Sequence, residues 1–393
     1  MRVLYVSHTG VVGGAEWSLL ELMAGMRERV DVALACPAGE LASLAAAQGV
    51  RTFAIRPVPL GFRVDPVATA RGVVRAVGAT IDIAQAARRS RADLVHANSV
   101  RAGIAAIGAR AGGAPPPLVH VRDTLPDSAL GRTTAALVRR GALLVLANSH
   151  FTATHVSPNG SGTVRVVYNG FDLERYSDVE VDREEVRRRL GLEAESAVIG
   201  VVAQLTPWKG QDDAIRTLAL VRKERPNTHL VLVGEAKFRD RSTSYDNISY
   251  EASLRRLAER LDVADAITFL GERRDVPTLL PAFDIVLVPS RHEPFGRSVV
   301  EAMAAGTPVI ATRVGGPSEV IADGENGLLL PPATPDLWAE AVLELLGDHR
   351  RRARLAAEAV QTVRSRFGRD RQLEQMTALY REALSGLGRR GVR

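Results

Sequence analysis

The chain of 393 residues carries 51 Lys and Arg against 45 Asp and Glu, a formal net charge of +6, and 46% of its residues are hydrophobic. Single hydrophobic cores stop growing near about 250–300 residues, so this length predicts two domains. The composition excludes a disordered or fibrous protein, and the single cysteine, Cys36, excludes an intramolecular disulfide. The modest positive charge suits a phosphate-bearing ligand, an anionic membrane surface or nucleic acid. Nucleic acid is the weakest of the three, because the sequence has no aromatic-rich basic stripe and no zinc-finger spacing.

The N-terminus and the apolar segments bear on the location of the protein. Residues 2–7 already have a strand-like pattern, with no signal-peptide hydrophobic region before them. Apolar stretches such as Gly141 to Ala147 are far shorter than the ~20 residues of a membrane helix. We therefore expect a cytoplasmic protein. The basic stretches Arg71 to Arg91 and Arg132 to Arg140 are compatible with peripheral attachment to the inner membrane face, or simply with solvated helix faces.

The first part of the chain alternates short β-branched segments with helical patterns such as Ala15 to Met26 and Ile81 to Arg89. The predicted strands are Arg2 to Ser7, Asp31 to Cys36, Arg51 to Arg56, Leu94 to Ala97, Leu118 to Arg122 and Leu143 to Asn148. This alternation predicts right-handed βαβ units and a doubly wound parallel sheet, which we assign to a first domain of residues 1–170.

After the turn signal Asn169-Gly170 the pattern pauses and then restarts. The second set of predicted strands is Ala197 to Ala203, His229 to Gly234, Ile267 to Gly271, Ile285 to Pro289, Pro308 to Ala311 and Gly327 to Leu330. We assign residues 171–365 to a second domain of the same α/β class. The charged stretch Asp178 to Arg189 is either part of the hinge or a surface helix.

Two further segments have predicted roles. Residues 366–393 contain a helical pattern from Arg371 to Leu384, which either crosses back onto the first domain or ends the second. Residues Ala236 to Glu251 are rich in Ser, Asp and Arg and are predicted to form a mobile loop.

The most informative segment runs from Pro289 to Glu319. A predicted strand ends at Pro289, a tight turn carries Glu293-Pro294-Phe295-Gly296, and a helix follows from Arg297 to about Ala305. Glu293 and Glu301 are expected to reach one region, where carboxylates can accept hydrogen bonds from sugar and ribose hydroxyls. The N–H groups at the helix start form an anion site. Gly315-Gly316 then permits close backbone approach to a ligand.

Two other strand-to-helix turns add phosphate-binding groups. Gln204 to Gly210 follows a predicted strand, and Lys209 there can reach a diphosphate as a point charge. The first turn, Thr9 to Glu16, contains Gly13-Gly14 before a helix. Because this turn has no G-x-G-x-x-G pattern, nicotinamide binding is poorly supported.

Taken in order, these segments resemble the retaining glycosyltransferases of family 4, which have the GT-B fold. The resemblance covers nearly the whole chain and is tightest from about Val201 to Pro332. It rests on the two glutamates with seven residues between them, and on the motifs Glu-Pro-Phe-Gly from 293, Glu-Ala-Met-Ala-Ala-Gly-Thr-Pro-Val-Ile-Ala from 301, Gly-Gly-Pro-Ser-Glu from 315 and Asn-Gly-Leu-Leu from 326. It implies two Rossmann-like doubly wound parallel-sheet domains facing across a cleft, with ligands at the carboxyl ends of the strands.

The resemblance also implies roles for individual residues. The second domain would hold a nucleoside-diphosphate sugar donor, with Glu301 on the ribose, Lys209 on the diphosphate and Glu293 near the transferred sugar, while the first domain would bind the acceptor. The donor-binding candidates are Gly13, Gly14, Gln204, Lys209, Leu270, Glu293, Pro294, Phe295, Gly296, Arg297 and Glu301. The catalytic candidates are Glu293, Lys209, His120 and Arg122.

This sequence departs from the family pattern at two places. Gln204 stands where relatives usually have arginine, so stabilisation of the leaving group is expected to depend on Lys209 and Arg297. Relatives also have a histidine at the end of the fifth strand, and either His120 or Arg122 takes that place here, since alternate side chains share one face of a strand. His120 is equally compatible with a core histidine. The acceptor-side candidates are His8, His96, Asn98 and Asp123.

The function implied is transfer of a sugar, with retention, from a UDP-sugar more readily than from a GDP-sugar, to a hydroxyl acceptor in glycan, glycolipid or natural-product biosynthesis. The sequence has no Asp-x-Asp and no clustered His or Cys, so neither a metal nor another cofactor is expected. The alternatives are a sugar-nucleotide epimerase or phosphorylase on a similar scaffold, and a non-catalytic protein that binds nucleotide sugars or a membrane surface.

Overall fold

The computed structural model describes residues 1–58, 66–158, 164–177, 181–193, 195–237 and 246–390, with the backbone alone at 66–75 and 387–390. The chain divides into two compact units, the first formed by Met1–Gly170 with Arg369–Arg393 and the second by Phe171–Gly368. Gly170 is therefore the last residue of the first unit before the chain passes into the second. The C-terminal helix, for which the sequence left two alternatives, belongs to the first unit.

The first unit alternates strands with helices. Its strands are β1 (Arg2–Val6), β2 (Asp31–Cys36), β3 (Arg51–Ala54), β4 (Leu94–Ala97), β5 (Pro117–Val121), β6 (Leu144–Ala147) and β7 (Val164–Val166). Its helices are α1 (Gly14–Met26), α2 (Glu40–Ala47), α3 (Pro66–Ser90), α4 (Val100–Ala109), α5 (Ala129–Gly141), α6 (His150–Val156) and, from the end of the chain, α16 (Arg369–Arg390). Serine side chains cap α4, α5 and α6 at Ser99, Ser128 and Ser149, each accepting a backbone N–H of the first turn.

The strands of the first unit form a parallel sheet in the order β3-β2-β1-β4-β5-β6-β7 among the described residues. One face packs against α3, α4 and α5. The other face packs against α1 and α16, where Leu373, Met376 and Tyr380 of α16 are buried. This apolar contact explains why the last helix joins the first unit.

The second unit repeats the pattern. Its strands are β8 (Ala197–Val202), β9 (Thr228–Val233), β10 (Ile267–Gly271), β11 (Ile285–Val288), β12 (Val309–Thr312) and β13 (Leu328–Leu330). Its helices are α7 (Glu174–Ser177), α8 (Arg183–Arg189), α9 (Gln211–Glu224), α10 (Asn247–Arg260), α11 (Val276–Leu279), α12 (Arg297–Ala304), α13 (Pro317–Val320), α14 (Pro335–Gly347) and α15 (His349–Arg366).

In the described part of the second unit the strand order is β10-β9-β8-β11-β12-β13, again parallel. The order reverses at β1/β4 in one sheet and at β8/β11 in the other, and ligands of such sheets bind at the carboxyl ends of strands near this point. Each predicted strand is confirmed to within two residues. Strand β7 was not predicted, because its three residues, Val-Arg-Val, are too short to show a pattern.

Some predictions fall partly outside the described residues. These are the predicted loop Ala236 to Glu251 at 238–245, the charged stretch Asp178 to Arg189 at 178–180, and the side chains at the start of the basic stretch Arg71 to Arg91. The rest of the charged stretch includes helix α8, as one of its two alternatives predicted. In the part of the chain that the structure describes, none of the helices combines the length and apolar character needed to cross a bilayer.

Candidate active site

The loop between β11 and α12 places both glutamates of the predicted site. Glu293 lies in the loop after β11, and the chain then turns through Gly296, which has a left-handed φ of 92° and precedes the first residue of α12. Glu301 follows on the second turn of that helix. Because Gly296 adopts a conformation that costs other residues energy, glycine here fixes where α12 begins.

The carboxylate of Glu293 is buried and paired. Its Oε2 accepts hydrogen bonds from Lys209 Nζ at 2.5 Å and from the Ser290 hydroxyl at 3.0 Å, and the exposed fractions of the Lys209 and Glu293 side chains are 15% and 6%. The Lys209 ammonium also lies 4.1 Å from the centroid of the Trp208 ring. The structure thus brings together Lys209 of the β8–α9 turn and Glu293 of the β11–α12 turn.

Glu301 is held by a second cation. Arg297 Nη2 donates to Glu301 Oε1 at 2.9 Å, and the guanidinium carbon of Arg297 lies 4.7 Å from the centroid of the Phe171 ring. Phe171 stacks on Phe295 with 6.1 Å between centroids, and Phe295 contacts Phe367 edge-on at 5.9 Å. An aromatic cluster therefore supports the loop that carries the predicted donor residues.

The backbone of the loop is packed tightly against the next turn. Gly316 N–H donates to the carbonyl of Glu293 at 2.8 Å. A β-carbon on Gly316 would lie 2.3 Å from both Cα and O of Phe295, which no side chain tolerates. Gly316 is thus needed for packing between two loops, rather than only for approach to a ligand.

The remaining donor candidates also lie at or near the ends of strands and helices. Gln204 follows β8 and is half-buried, and its backbone carbonyl accepts from Gln211 Nε2 at 2.8 Å. Leu270 is half-buried at an irregularity in the pairing of β10 with β9. Pro294 is buried in the loop beside Glu293. In the first unit, Gly13 caps α1 and donates its N–H to Glu16 Oε2 at 3.2 Å, while Gly14 is exposed as the first helical residue.

Aromatic and basic neighbours that the sequence did not single out surround Lys209. Trp208 and His292 are stacked with 5.0 Å between ring centroids. Arg291 pairs with Asp212 at 2.8 Å and with Asp213 at 3.6 Å. Burial and the neighbouring Asp212 raise the pKa of Asp213, whereas Arg216, Arg291 and Tyr250 hold the pKa of Asp212 below its usual range despite burial. The carboxylates of this cluster lie at the start of α9, where negative charge interacts favourably with the helix dipole.

In the first unit, one face of the sheet becomes more polar towards the carboxyl ends of its strands. Leu94 and Leu118 pack in the apolar core on this face. Two residues further along each strand are His96 and His120, and two residues further again are Asn98 and Arg122, with all four fully or almost fully buried. The three layers follow directly from the two-residue period of a strand.

The middle layer is a cluster of uncharged rings. Tyr380 of α16 donates its hydroxyl to Tyr5 at 3.0 Å and shares a 2.6 Å hydrogen bond with His96 Nδ1. His120 lies 5.4 Å from His96 between ring centroids, and among the described residues neither ring nitrogen of His120 has a hydrogen-bond partner. No sequence pattern predicts the contact between Tyr5 and Tyr380, because 375 residues separate them.

Burial keeps these histidines neutral. It lowers the pKa of His96 to about 3, with a further contribution from the Arg122 charge, and it lowers the pKa of His120 well below the usual range, helped by Arg122 and His96. His96 was predicted on the acceptor side and His120 was a catalytic candidate. The structure buries both rings among the core residues of the first unit, and the roles predicted for His96 and His120 stay predictions.

Arg122 is the residue that stands at the end of β5. Its Nε donates to Asn98 Oδ1 at 2.5 Å and its Nη1 donates to Asn169 Oδ1 at 2.7 Å. Asn98 in turn donates to the carbonyl of Ala15 at 3.2 Å, at the start of α1. Two amide oxygens therefore orient the guanidinium.

The other two acceptor-side candidates lie near strand ends of the same sheet. Asp123 is exposed and accepts from Thr124 N–H at 2.9 Å. His8 is half-buried and contacts the Ser99 hydroxyl at 3.1 Å. Burial, with a contribution from Arg101, lowers the pKa of His8 to about 3. In the part of the chain that the structure describes, no group of three or more His, Cys, Asp or Glu is arranged to hold a metal ion.

Comparisons with known proteins agree with this geometry. Residues 182–362 match the family model for glycosyl transferases group 1, and residues 12–175 match that for glycosyltransferase family 4. The chain is 36% identical over 228 residues to the D-inositol 3-phosphate glycosyltransferase of Corynebacterium glutamicum, which covers 56% of this chain and 52% of the relative. It is 31% identical over 290 residues to the D-inositol 3-phosphate glycosyltransferase of Segniliparus rotundus. This match covers 69% of this chain and 62% of the relative. The chain thus spans about half the length of the first curated relatives it matches.

Solved structures resemble the whole chain. The Anabaena protein HepE in complex with UDP-glucose is 28% identical, with a TM-score of 0.84 over 97% of this chain and 100% of HepE. Sucrose-phosphate synthase from Thermosynechococcus elongatus, 21% identical, has the same fold, with a TM-score of 0.78 over 98% of this chain and 100% of the synthase.

The two doubly wound parallel sheets and these neighbours define the GT-B class of fold. Residues 12–175 are thus similar to glycosyltransferase family 4 and residues 182–362 to glycosyl transferases group 1, so that the chain joins a segment of each type.

Proposed function

We propose that this protein transfers a sugar from a UDP-sugar to a hydroxyl acceptor, with retention of anomeric configuration and without a metal ion. The observation that carries the proposal is the pairing of Lys209 with Glu293 beside the start of α12. This arrangement combines a point charge, helix N–H groups and a carboxylate within one loop system. The likeness to HepE, which was solved with UDP-glucose, supports UDP as the nucleotide.

The proposed chemistry uses the charges of the second unit. Departure of UDP leaves negative charge on the diphosphate, and Lys209 together with the N-terminus of α12 would stabilise that charge by fixed electrostatics. Glu301 would accept hydrogen bonds from the ribose hydroxyls. Glu293 carries hydrogen bonds from both Lys209 and Ser290, which suits a residue that positions the donor sugar better than one that attacks it.

Retention is proposed from the family resemblance, through attack of the acceptor on the face that the leaving group vacates. Metal independence is proposed from the chain itself, because Lys209 occupies the role that a divalent ion plays elsewhere. The curated relatives are glycosyltransferases named for D-inositol 3-phosphate, and they match only part of this chain, so the acceptor is proposed here only as a hydroxyl compound.

The test begins with calorimetric titration of UDP, GDP, ADP, dTDP and NAD in the presence and absence of EDTA. We expect selective binding of UDP that EDTA does not change, and at least a tenfold loss of affinity in Glu301→Ala. The matched control is Glu340→Ala, which changes an exposed glutamate on α14. Release of UDP from a panel of UDP-sugars, with NMR assignment of the product anomer, then tests transfer and retention. Selective binding of GDP or NAD, or activity that requires magnesium, would contradict the proposal.

We also propose that helix α5 attaches the protein to anionic membrane surfaces. Leu130 and Leu137 are 45% and 46% exposed on this helix, and Arg132 and Arg140 are exposed with them. Apolar side chains flanked by basic residues are typical of interfacial helices.

Co-sedimentation with vesicles of phosphatidylcholine, with and without phosphatidylglycerol, tests this attachment. We expect binding only to the anionic vesicles and its loss in Leu137→Glu. Leu337→Glu, at a leucine that is 42% exposed on α14, is the control and should bind like the wild type. Equal binding by both variants would contradict a role for α5.

A further inference from the structure

Trp208 has a fixed place in the turn between β8 and α9. It is the central residue of the short 3₁₀ turn Pro207–Lys209, which the Lys209 N–H closes by donating to the Thr206 carbonyl at 2.9 Å. The carbonyl of Trp208 accepts the Arg291 N–H at 2.8 Å, from the loop after β11. The backbone of Trp208 is therefore tied to both loops that form the candidate site.

The indole ring of Trp208 contacts a cation and a second ring. Lys209 Nζ lies 4.1 Å from the centroid of the indole. The His292 ring stacks on the indole with 5.0 Å between centroids and 23° between the ring planes. Trp208 is half-buried and the Lys209 side chain is 15% exposed, so much of the solvent is kept from the contact between cation and ring. Tryptophan makes the strongest cation–π contacts, and loss of water strengthens them.

The ammonium of Lys209 needs a support that a diphosphate does not displace. It is a point charge on a flexible four-carbon stem, and fixing such a stem costs much rotamer freedom. The carboxylate of Glu293 holds the ammonium at 2.5 Å, but a phosphate competes with this carboxylate for the same cation and is repelled by its charge. The indole face of Trp208 attracts the cation without a net charge of its own, so it does not repel the phosphate.

We propose that Trp208 is a positioning residue, which holds the Lys209 ammonium in place for the departing diphosphate. This inference rests on the proposed function and adds a residue that acts through Lys209 alone. The negative charge on the diphosphate increases as the bond to the sugar breaks, so a correctly held ammonium stabilises the transition state more than the bound donor. Loss of the indole should therefore lower kcat more than it raises KM.

Replacement of the indole tests the proposal through steady-state release of UDP from the UDP-sugar. Trp208→Leu should lower kcat by about 3-fold to 30-fold, the range that a partly desolvated cation–π contact supplies, and should leave KM within about twofold of wild type. Trp208→Phe keeps an aromatic face and should retain more activity than Trp208→Leu. The matched control is Phe53→Leu, which removes a ring 4.8 Å from the guanidinium carbon of Arg51 in the first unit and should change neither kcat nor KM.

Two further measurements separate an action through Lys209 from support of the loop. In the Lys209→Ala background, Trp208→Leu should change the residual turnover by less than about twofold, because no ammonium remains to be held. Fluorinated tryptophan withdraws electron density from the face of the indole, so kcat should fall as the number of fluorine atoms rises. The same incorporation into Trp208→Phe should have no effect. This series also provides a test if Trp208→Leu does not fold.

The possible outcomes are distinct. A wild-type kcat in Trp208→Leu, or a kcat that does not depend on fluorination, would mean that the ring does not position Lys209. An equal loss of turnover with and without Lys209 would mean that the ring only supports the loop. Each of these results overturns the inference, while release of UDP by the wild type leaves the proposed function standing. A wild type that releases no UDP from any UDP-sugar would overturn both.

Discussion

The two units build parallel sheets of the same type, but different polar groups lie near the carboxyl ends of their strands. At the carboxyl ends of its strands the second unit places full charges in pairs, Lys209 with Glu293 and Arg297 with Glu301. The first unit places uncharged rings beneath its strand ends, among them His96 and Tyr380, and keeps them away from water.

The ion pairs of the second unit and the neutral ring cluster of the first unit are suited to different roles. Ion pairs that retain some exposure can exchange a partner for a charged ligand at modest cost, because water and the ligand replace the broken contacts. A fully buried neutral cluster cannot change its charge without a large desolvation penalty, so it contributes rigidity and makes stability depend on pH. Substitutions in the ion pairs of the second unit should therefore change donor binding, and substitutions in the ring cluster of the first unit should change stability.

The largest expected effect is on the charged unit. Lys209→Ala should reduce turnover of the UDP-sugar by about 100-fold to 1,000-fold, the usual loss when one preorganised electrostatic donor is removed. Steady-state release of UDP is the measurement. Lys223→Ala, which removes an exposed lysine near the end of α9, is the control and should retain wild-type turnover. Nearly intact turnover in Lys209→Ala would contradict the proposed role of Lys209 in stabilising the departing diphosphate.

The next effect is a pH dependence of the first unit. The unfolded chain protonates His96 near pH 6.5, whereas the folded unit resists protonation until its pKa of about 3. The unfolded state therefore binds more protons as the pH falls, and the free energy of unfolding should decrease by about 2 kcal/mol per such histidine between pH 7 and pH 5. The contribution is fully present above pH 6.5.

Hydrogen exchange of the β4 and β5 amides at several pH values measures this dependence. His96→Gln should make the free energy of unfolding less dependent on pH, by the contribution of one histidine. This change in slope is expected whatever the effect of the substitution on stability at pH 7. His349→Gln, at an exposed position at the start of α15, should leave the slope unchanged. An identical slope in wild type and His96→Gln would show that the cluster is accessible to protons.

The smallest effect concerns one hydroxyl. Tyr380→Phe removes the group that contacts both His96 and Tyr5, and should lower the free energy of unfolding of the first unit by about 1–2 kcal/mol because a buried nitrogen loses its partner. Urea denaturation measures the loss. UDP affinity should stay within twofold of wild type. A larger change would contradict the prediction that the ring cluster of the first unit affects stability and not donor binding.

The sequence predicted much of the fold because the signals are local. Alternating β-branched segments and helical patterns predicted all strands of the described residues except β7, and the Glu293-to-Glu301 segment predicted the loop and helix that carry the candidate site. Turn chemistry at Gly296 is also local, since a left-handed φ favours glycine, whereas the close approach of Gly316 to Phe295 is a contact between two loops.

Long-range partners decided the rest. The sequence could not choose between His120 and Arg122, because both lie on one face of β5 and only burial under α1 and α16 separates a core ring from a strand-end guanidinium. Nor could it pair Arg297 with Phe171, assign α16 to the first unit or find Tyr380 beside Tyr5. Periodicity and motif spacing determine which elements form and which face is apolar, whereas contacts between residues far apart in the chain arise only when the packed units exclude water.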